Sequence, residues 1–231
     1  MKVSVVIPAY NEEKYLGRTI ESIQTLDRKP DEIIVIDGGS TDATVAVAKQ
    51  YGAIPITVEH RGIGYARQKG LEAANGDIIA FTDADTIVLH DWLTKIIDTL
   101  NKPGVVAVYS GFHVPDGWFP YWFFINFIQP LALLFYHAIG IPMAPGQNTS
   151  FWKKSAVQAG GYPEDFKIAE DLEMARRLKK VGKVVYRFDN YVISSGRRGD
   201  EGFGLVTRVI KAFWYYFTTR RADKIGFPDI R

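Results

Sequence analysis

Ile78-Ile79-Ala80-Phe81-Thr82-Asp83-Ala84-Asp85 is the stretch on which the fold turns. Its apolar run reads as a strand buried on both faces, and the acidic pair follows directly where that strand must end. Open α/β sheets collect their ligands outside the carboxyl ends of the strands, so the pair stands where a ligand would. Elsewhere an Asp-x-Asp is common, and most are helix caps or solvated turns; position is what separates this one. Two carboxylates one residue apart on a turn can reach a single site. Their hard oxygens suit Mg²⁺ or Mn²⁺ that also takes phosphate oxygens, and such a cation offsets charge on a diphosphate leaving group.

Outward from this strand the pattern repeats. Strands read at Lys2 to Pro8, Glu32 to Asp37, Ile54 to Glu59, Asp77 to Thr82 and Val105 to Phe112. Between them lie helix-period segments at Glu13 to Leu26, Thr41 to Tyr51, Tyr65 to Ala74 and Asp91 to Leu100, each opening on polar residues and closing near Gly, Asn or Pro. Alternation of this kind predicts an α/β fold with a mostly parallel sheet flanked by helices. Further on, Asn148 to Trp152 reads as a strand, Lys153 to Gln158 as a short helix, Glu170 to Lys180 as a helix, Lys183 to Arg187 as a strand and Phe203 to Thr218 as a helix.

The other strand ends carry matching signals. Pro8-Ala9-Tyr10-Asn11-Glu12 follows the first strand, with an aromatic face for a base and a carboxylate for ribose hydroxyls or ring N–H groups. Asp37-Gly38-Gly39-Ser40-Thr41-Asp42 follows the second, with glycines that permit close backbone approach and a Ser/Thr cap opening a helix. An ordinary strand-to-helix turn explains that segment equally well. At Arg61-Gly62-Ile63-Gly64-Tyr65-Ala66-Arg67 a dinucleotide fingerprint must be considered, but its third glycine would fall at Arg67, and it sits on the third strand rather than the first. Arg67 reads instead as a cation at a helix start facing phosphate, with a surface salt bridge as the alternative.

The chain has 231 residues, enough for one well-buried α/β domain. A formal charge of +2, from 28 basic and 26 acidic side chains, offers no general attraction for nucleic acid. Without cysteine there is no thiolate nucleophile, disulfide or Cys-based zinc site, which fits a cytosolic setting. Only Lys2 precedes the first strand, so no signal peptide is expected. His60, His90, His113 and His137 lack metal-ligand spacing and read as structural, with His113 and His137 the two that could line an acceptor cleft.

Taken together, Val5-Val6-Ile7-Pro8-Ala9-Tyr10-Asn11-Glu12, Ile36-Asp37-Gly38-Gly39-Ser40-Thr41-Asp42, Ala66-Arg67-Gln68-Lys69-Gly70 and Thr82-Asp83-Ala84-Asp85 resemble the family 2 glycosyltransferases of GT-A fold. Gly146-Gln147-Asn148-Thr149-Ser150-Phe151, Gly160-Gly161-Tyr162 and Glu170-Asp171 continue the resemblance, which covers roughly residues 1 to 190. It implies inverting transfer from a UDP- or GDP-sugar. By this resemblance Pro8, Tyr10, Glu12 and Asp37 belong to the nucleoside site, Arg67 and Asp83 hold the donor, and Asp83 and Asp85 bind Mn²⁺ or Mg²⁺. Asp171 is then the general base for the acceptor hydroxyl, supported by Glu170. Taken out of this context, Glu170-Asp171 is simply helix-start charge stabilised by the macrodipole. If the roles hold, Asp83, Asp85 and Asp171 must line one cleft, and a base in a partly desolvated site gains from a raised pKa. The C-terminal pattern of dolichyl-phosphate-sugar synthases and the Gln-x-x-Arg-Trp of processive synthases are both missing, so the resemblance implies addition of single sugars to a hydroxyl. Arg197-Arg198 either closes over the diphosphate, as such segments do in relatives, or forms an exposed basic loop.

One segment stands apart. From Trp118 to Ile141 runs a stretch of 24 mostly apolar residues, and no charge occurs between Asp116 and Lys153. Its length suits a membrane span, yet strands of one sheet flank it on both sides. Pro120 and Pro130 suggest two short helices that turn back in the interface, with Trp118, Tyr121, Trp122 and Tyr136 at the headgroup level. A buried helical pair or a homodimer face is the alternative. In the C-terminal helix Val206, Val209, Ile210, Phe213 and Phe217 recur at helical spacing, while Arg208, Lys211, Arg220 and Arg221 supply cations suited to anionic lipid; core packing with solvated cations is its rival.

The expectation is therefore a single domain over 1–231. It comprises a nucleotide-sugar half at 1–112, an apolar insertion at 113–145, an acceptor and catalytic half at 146–200 and a basic amphipathic helix and tail at 203–231. The expected partners are a nucleoside-diphosphate sugar, a saccharide or lipid-linked acceptor and, through 118–141 and 203–221, the cytoplasmic face of a membrane; nucleic acid is excluded. Two rival functions stay open. A nucleotidyltransferase shares the sheet and acidic metal site but attacks the α-phosphate and needs no Glu170-Asp171, and a non-catalytic nucleotide- or glycan-binding module needs no base at all.

Overall fold

The computed structural model describes residues 1–224. Its first half alternates as the hydrophobic pattern demands: β1 (Val3–Ala9), α1 (Leu16–Gln24), β2 (Glu32–Asp37), α2 (Thr44–Gln50), β3 (Ile54–Thr57), α3 (Ile63–Ala73), β4 (Ile78–Phe81), β5 (Thr86–Ile87), α4 (Trp92–Leu100) and β6 (Val105–Tyr109). There follow β7 (Phe112–His113), the apolar helix as α5 (Phe119–Phe123) and α6 (Gln129–Ala138), β8 (Thr149–Trp152), α7 (Lys153–Gln158), α8 (Glu170–Leu178), β9 (Lys183–Tyr186), β10 (Val192–Ser194) and α9 (Phe203–Thr219). Apart from the strand at Val105 to Phe112 and the paired helices of the apolar segment, the sequence-predicted elements are present, with ends displaced by a few residues.

Seven strands form one sheet in the order β3-β2-β1-β4-β8-β6-β9, parallel except for β8, which runs against both β4 and β6. Period-two alternation decides which face each residue serves. Val3, Val5 and Ile7 point to the face covered by Leu16, Ile20 and Ile23 of α1 and Trp92, Leu93 and Ile96 of α4. Val6, Ile34 and Ile36 point to the other, against Ala66 and Leu71 of α3 and Met174 and Leu178 of α8. Every residue of β1 and β4 is buried, which is why both read as apolar runs, broken in β1 only by Ser4.

Sequence reading had one strand from Val105 to Phe112; the chain instead breaks at Ser110-Gly111, and β7 joins a second sheet in the order β5-β10-β7. Its strands are two or three residues long, too short for any periodicity to mark them in the sequence. It closes over the loop that follows β4.

The apolar segment also differs from expectation. Instead of two short helices turning back, it is one helix over Phe119–Ala138. Pro120 sits in the first turn, where no donor is missed. Pro130 lacks the N–H for a regular turn, and the chain accommodates it by widening to π geometry over Phe124–Ile128. Nor is it a buried pair: 11% of its apolar window is covered. Ile125 and Leu133 face the protein, and the Asn126 side chain exchanges hydrogen bonds with the Val114 backbone at 3.0 and 2.9 Å. Phe119, Phe123, Phe127, Leu131 and Phe135 face outward. Helix α9 is similarly two-faced. Leu205, Ala212 and Tyr216 are buried, the latter two beside Phe166, Ile168 and Leu172, while Phe203, Ile210 and Trp214 are exposed. The rings of Trp118 and Phe203, 4.9 Å apart, bring the two apolar surfaces together. The predicted basic tail beyond Lys224 lies outside the described residues.

Candidate functional site

Parallel pairing places Ala9 beside Asp37 and Asp37 beside Thr57, while Phe81 pairs with Val6. The loops after β1, β2, β3 and β4 therefore leave the sheet at one edge, as the acidic-pair argument required. The first two are stitched together: Asn11, in the left-handed region at φ 53°, donates its N–H to Ser40 Oγ at 2.7 Å and accepts the Thr41 N–H at 2.8 Å. Asp37 is 1% exposed and receives the Ser40 N–H at 3.2 Å, so its carboxylate shapes the glycine turn from within. The Tyr10 ring is packed on that of His60 with centroids 4.0 Å apart, and His60 Nδ1 lies 3.2 Å from Gly38 O. His60, expected to be structural, packs beside Tyr10 and the glycine turn from its place just beyond the end of β3.

Asp83 and Asp85 leave the strand end in different directions. Asp83 turns toward Arg67, whose Nη2 donates to its Oδ1 at 2.9 Å. The same guanidinium donates from Nε to Glu170 at 3.0 Å and from Nη1 to the Gly146 carbonyl at 2.9 Å. Expected to face phosphate, Arg67 is instead 2% exposed, with its donors turned to protein oxygens. Against the cost of burial, Asp83 and Glu170 hold it protonated. Gly146 is the contact that permits this approach, since a Cβ there would collide with Arg67 Nη2 and come within 3.1 Å of Asp171 Oδ2.

Asp171 thus adjoins the same cluster, at the start of α8. Ala169, at φ 60°, turns the chain into that helix in a conformation costing roughly 1–3 kcal/mol, held by packing among Phe166, Leu172 and Tyr216. Burial, and then the neighbouring Glu170 charge, push Asp171 up to about 7, with Arg67 pulling the other way. Burial likewise raises Glu170, again opposed by Arg67. A carboxyl poised near neutrality can take a proton from a hydroxyl group.

Asp85 turns to the opposite side. Its Oδ2 accepts Ser195 Oγ at 2.5 Å and lies 3.0 Å from Arg197 Nε. Arg197 also reaches Glu12 Oε1 at 2.5 Å. Of the two readings of the Arg197-Arg198 segment, Arg197 takes neither form outright: it is a latch on two of the predicted site acids. Among the described residues no three His, Cys, Asp or Glu side chains group as a ready cation cage. Two hard carboxylates on one turn still fit a divalent ion whose remaining ligands are phosphate oxygens and water.

With this geometry in view, three comparisons bear on the chain. The model of glycosyl transferase family 2 matches residues 4–159. A glucosyl-dolichyl phosphate glucuronosyltransferase of Haloferax volcanii is 32% identical over 176 residues, covering 70% of this chain and 56% of that protein. The chain thus spans little more than half of that relative's length. Among solved structures, a mannosyltransferase from Pyrobaculum calidifontis in complex with GDP-mannose and Mn²⁺ superposes with TM-score 0.71 at 23% identity, over 91% of this chain and 61% of that one. Glucosyl-3-phosphoglycerate synthase of Mycobacterium tuberculosis, with Mn²⁺, UDP and glucosyl-3-phosphoglycerate, does so with TM-score 0.66 at 25% identity, over 99% and 81%.

Proposed function

The chain belongs to glycosyl transferase family 2, and from that premise we propose that it moves one sugar from a UDP- or GDP-sugar to an acceptor hydroxyl, with inversion and with Asp171 as base. The acceptor oxygen attacks the anomeric carbon as its proton passes to the Asp171 carboxylate; the bond from that carbon to phosphate breaks and its electron pair leaves with the diphosphate. The observation that carries this reading is the Arg67 cluster. One buried guanidinium holds Asp83 at 2.9 Å and Glu170 at 3.0 Å, with Asp171, raised to about 7, adjoining. A donor-side acid and a base with suitable affinity are thereby fixed relative to each other.

Tyr10 offers its ring to the base and Glu12 and Asp37 their carboxylates to the nucleoside, with Pro8 near the end of β1. Arg67 acts on the donor through Asp83. Asp83 and Asp85 would hold Mn²⁺ or Mg²⁺, which supplies positive charge to the departing diphosphate; the Mn²⁺ in both solved relatives supports that choice. Residues 1–231 act as one domain in this reading.

The acceptor is lipid-linked and the enzyme works peripherally at the cytoplasmic face of a membrane. What supports this is the exposed apolar helix Phe119–Ala138 beside the exposed face of α9, together with the name of the Haloferax relative. The experiment for the reaction is Asp171→Asn: donor binding should persist and transfer should vanish, whereas unchanged turnover removes Asp171 as base. Co-flotation with anionic vesicles tests the membrane assignment; a homodimer that stays in solution would reassign the apolar face to a second copy.

A further inference from the structure

Asp85 is 9% exposed along its side chain, and an enclosed carboxylate needs a positive partner. Arg197 supplies it, across 3.0 Å from Nε to Oδ2. Its Nη2 is committed at the same time to Glu12 Oε1 at 2.5 Å, and its guanidinium lies 4.7 Å over the Tyr15 ring. The backbone around it is pinned as well. Ser195 N–H donates to the Asp85 carbonyl at 3.2 Å, its hydroxyl to the Asp85 carboxylate at 2.5 Å, and Gly196 N–H to Asp116 Oδ1 at 3.2 Å. The short 3₁₀ segment Gly196–Glu201 is in this way strapped across the loop that follows β4.

We propose that Arg197 is a displaceable internal cation, which occupies the positive-charge position at Asp85 while covering Glu12, so that divalent ion and nucleotide both bind by releasing it. This rests on the reading of Asp85 as a metal ligand. A divalent ion needs Asp85 oxygen at about 2.1 Å, which would bring its two charges against a guanidinium already 3.0 Å from that oxygen. In a partly buried site such charges repel strongly, and one of the two must leave. Because a single side chain spans Glu12 and Asp85, releasing it for either ligand uncovers the position of the other. Ion and nucleotide therefore raise each other's affinity by more than their direct contact provides. The strap also withholds Asp85 from stray cations while no donor is present.

The test titrates the full chain with Mn²⁺ alone, reading free Mn²⁺ by electron paramagnetic resonance, for wild type, Arg197→Gln, Asp85→Ala and the double variant. If Arg197 covers the site about nine-tenths of the time, Arg197→Gln binds Mn²⁺ about tenfold tighter, and the gain disappears when Asp85→Ala is added. Hydrogen exchange on wild type reads the same event without a variant: amides of residues 194–201 lose protection as Mn²⁺ saturates the site. No gain in Arg197→Gln, with Asp85→Ala still abolishing binding, overturns the latch and leaves the metal assignment standing; so does unchanged protection at saturation. Mn²⁺ binding indifferent to Asp85→Ala overturns the metal assignment and the latch together.

Discussion

Arg67 donates to Asp83 across 2.9 Å with 3% of its own side chain in contact with solvent. Because its Nε meets Glu170 at 3.0 Å, one enclosed cation joins the turn after β4 to the first residue of α8. Arg67 opposes the burial that raises Glu170, and the guanidinium fork makes both bonds in fixed geometry.

Replacing Arg67 by Met should therefore cost about 3–5 kcal/mol at pH 7, as removal of one partner from a buried ion pair does. Urea denaturation reads it. The loss should shrink at lower pH, where the stranded Glu170 carboxyl, already raised by burial, takes up a proton. A loss below 1 kcal/mol would mean that Asp83 and Glu170 find other partners.

With Asp171 as the proposed base, its titration sets the acid limb of activity. Its folded value is raised to about 7, so the carboxylate needed as base is present above that pH and is lost as pH falls through it. A kcat/KM profile should drop tenfold per pH unit on the acid side, with a midpoint belonging jointly to Asp171 and Glu170. For stability the sign is reversed. The folded chain retains a proton that the unfolded chain gives up near 3.8, so this group costs stability as pH rises from about 4 to about 7.

Tyr216 ties α9 to α8: its hydroxyl donates to Glu173 Oε2 at 2.8 Å. Burial pushes Glu173 up, but Arg176, Tyr216 and Arg177 together hold it down to about 2. Its bonds thus stabilise the fold fully above about pH 4.5, and that contribution fades as pH falls toward 2. Tyr216→Phe should cost about 1.5–3 kcal/mol at pH 7, the range for a hydrogen bond to a charged group, and markedly less at pH 3. A pH-independent loss would assign the effect to packing.

Trp214 is 74% exposed on α9. If this face meets lipid, Trp214→Ser should weaken partition into anionic vesicles by about tenfold or more, since burying an aromatic side chain is worth roughly 1.5–3 kcal/mol. Nucleotide binding should not change. Equal partition of the variant would move the contact to the Phe119–Ala138 helix alone.

The sheet was legible because its evidence is local. Ile78 to Phe81 and Val3 to Ile7 are buried on both faces, so their side chains are apolar except for Ser4, and the carboxyl end of such a strand is a predictable place for Asp83 and Asp85. Helix starts and stops were legible for the same reason, while the exact path through Pro130 was not, since a helix can break there or widen into a π turn and only the packing of Ile125 and Leu133 chooses.

What the sequence determined by itself is therefore the order of elements, the edge of the sheet where the ligand loops gather, and the kinds of acid found there, all of which follow from burial patterns a few residues long. What only the tertiary structure decided is which groups those acids meet: Arg67 with Glu170, 103 residues away, and Glu12 with Arg197, 185 residues away. An arginine reads alike in sequence whether it faces solvent, phosphate or a buried carboxylate. Its partner is chosen by the desolvation it must offset, and that exists only once the chain has closed around it.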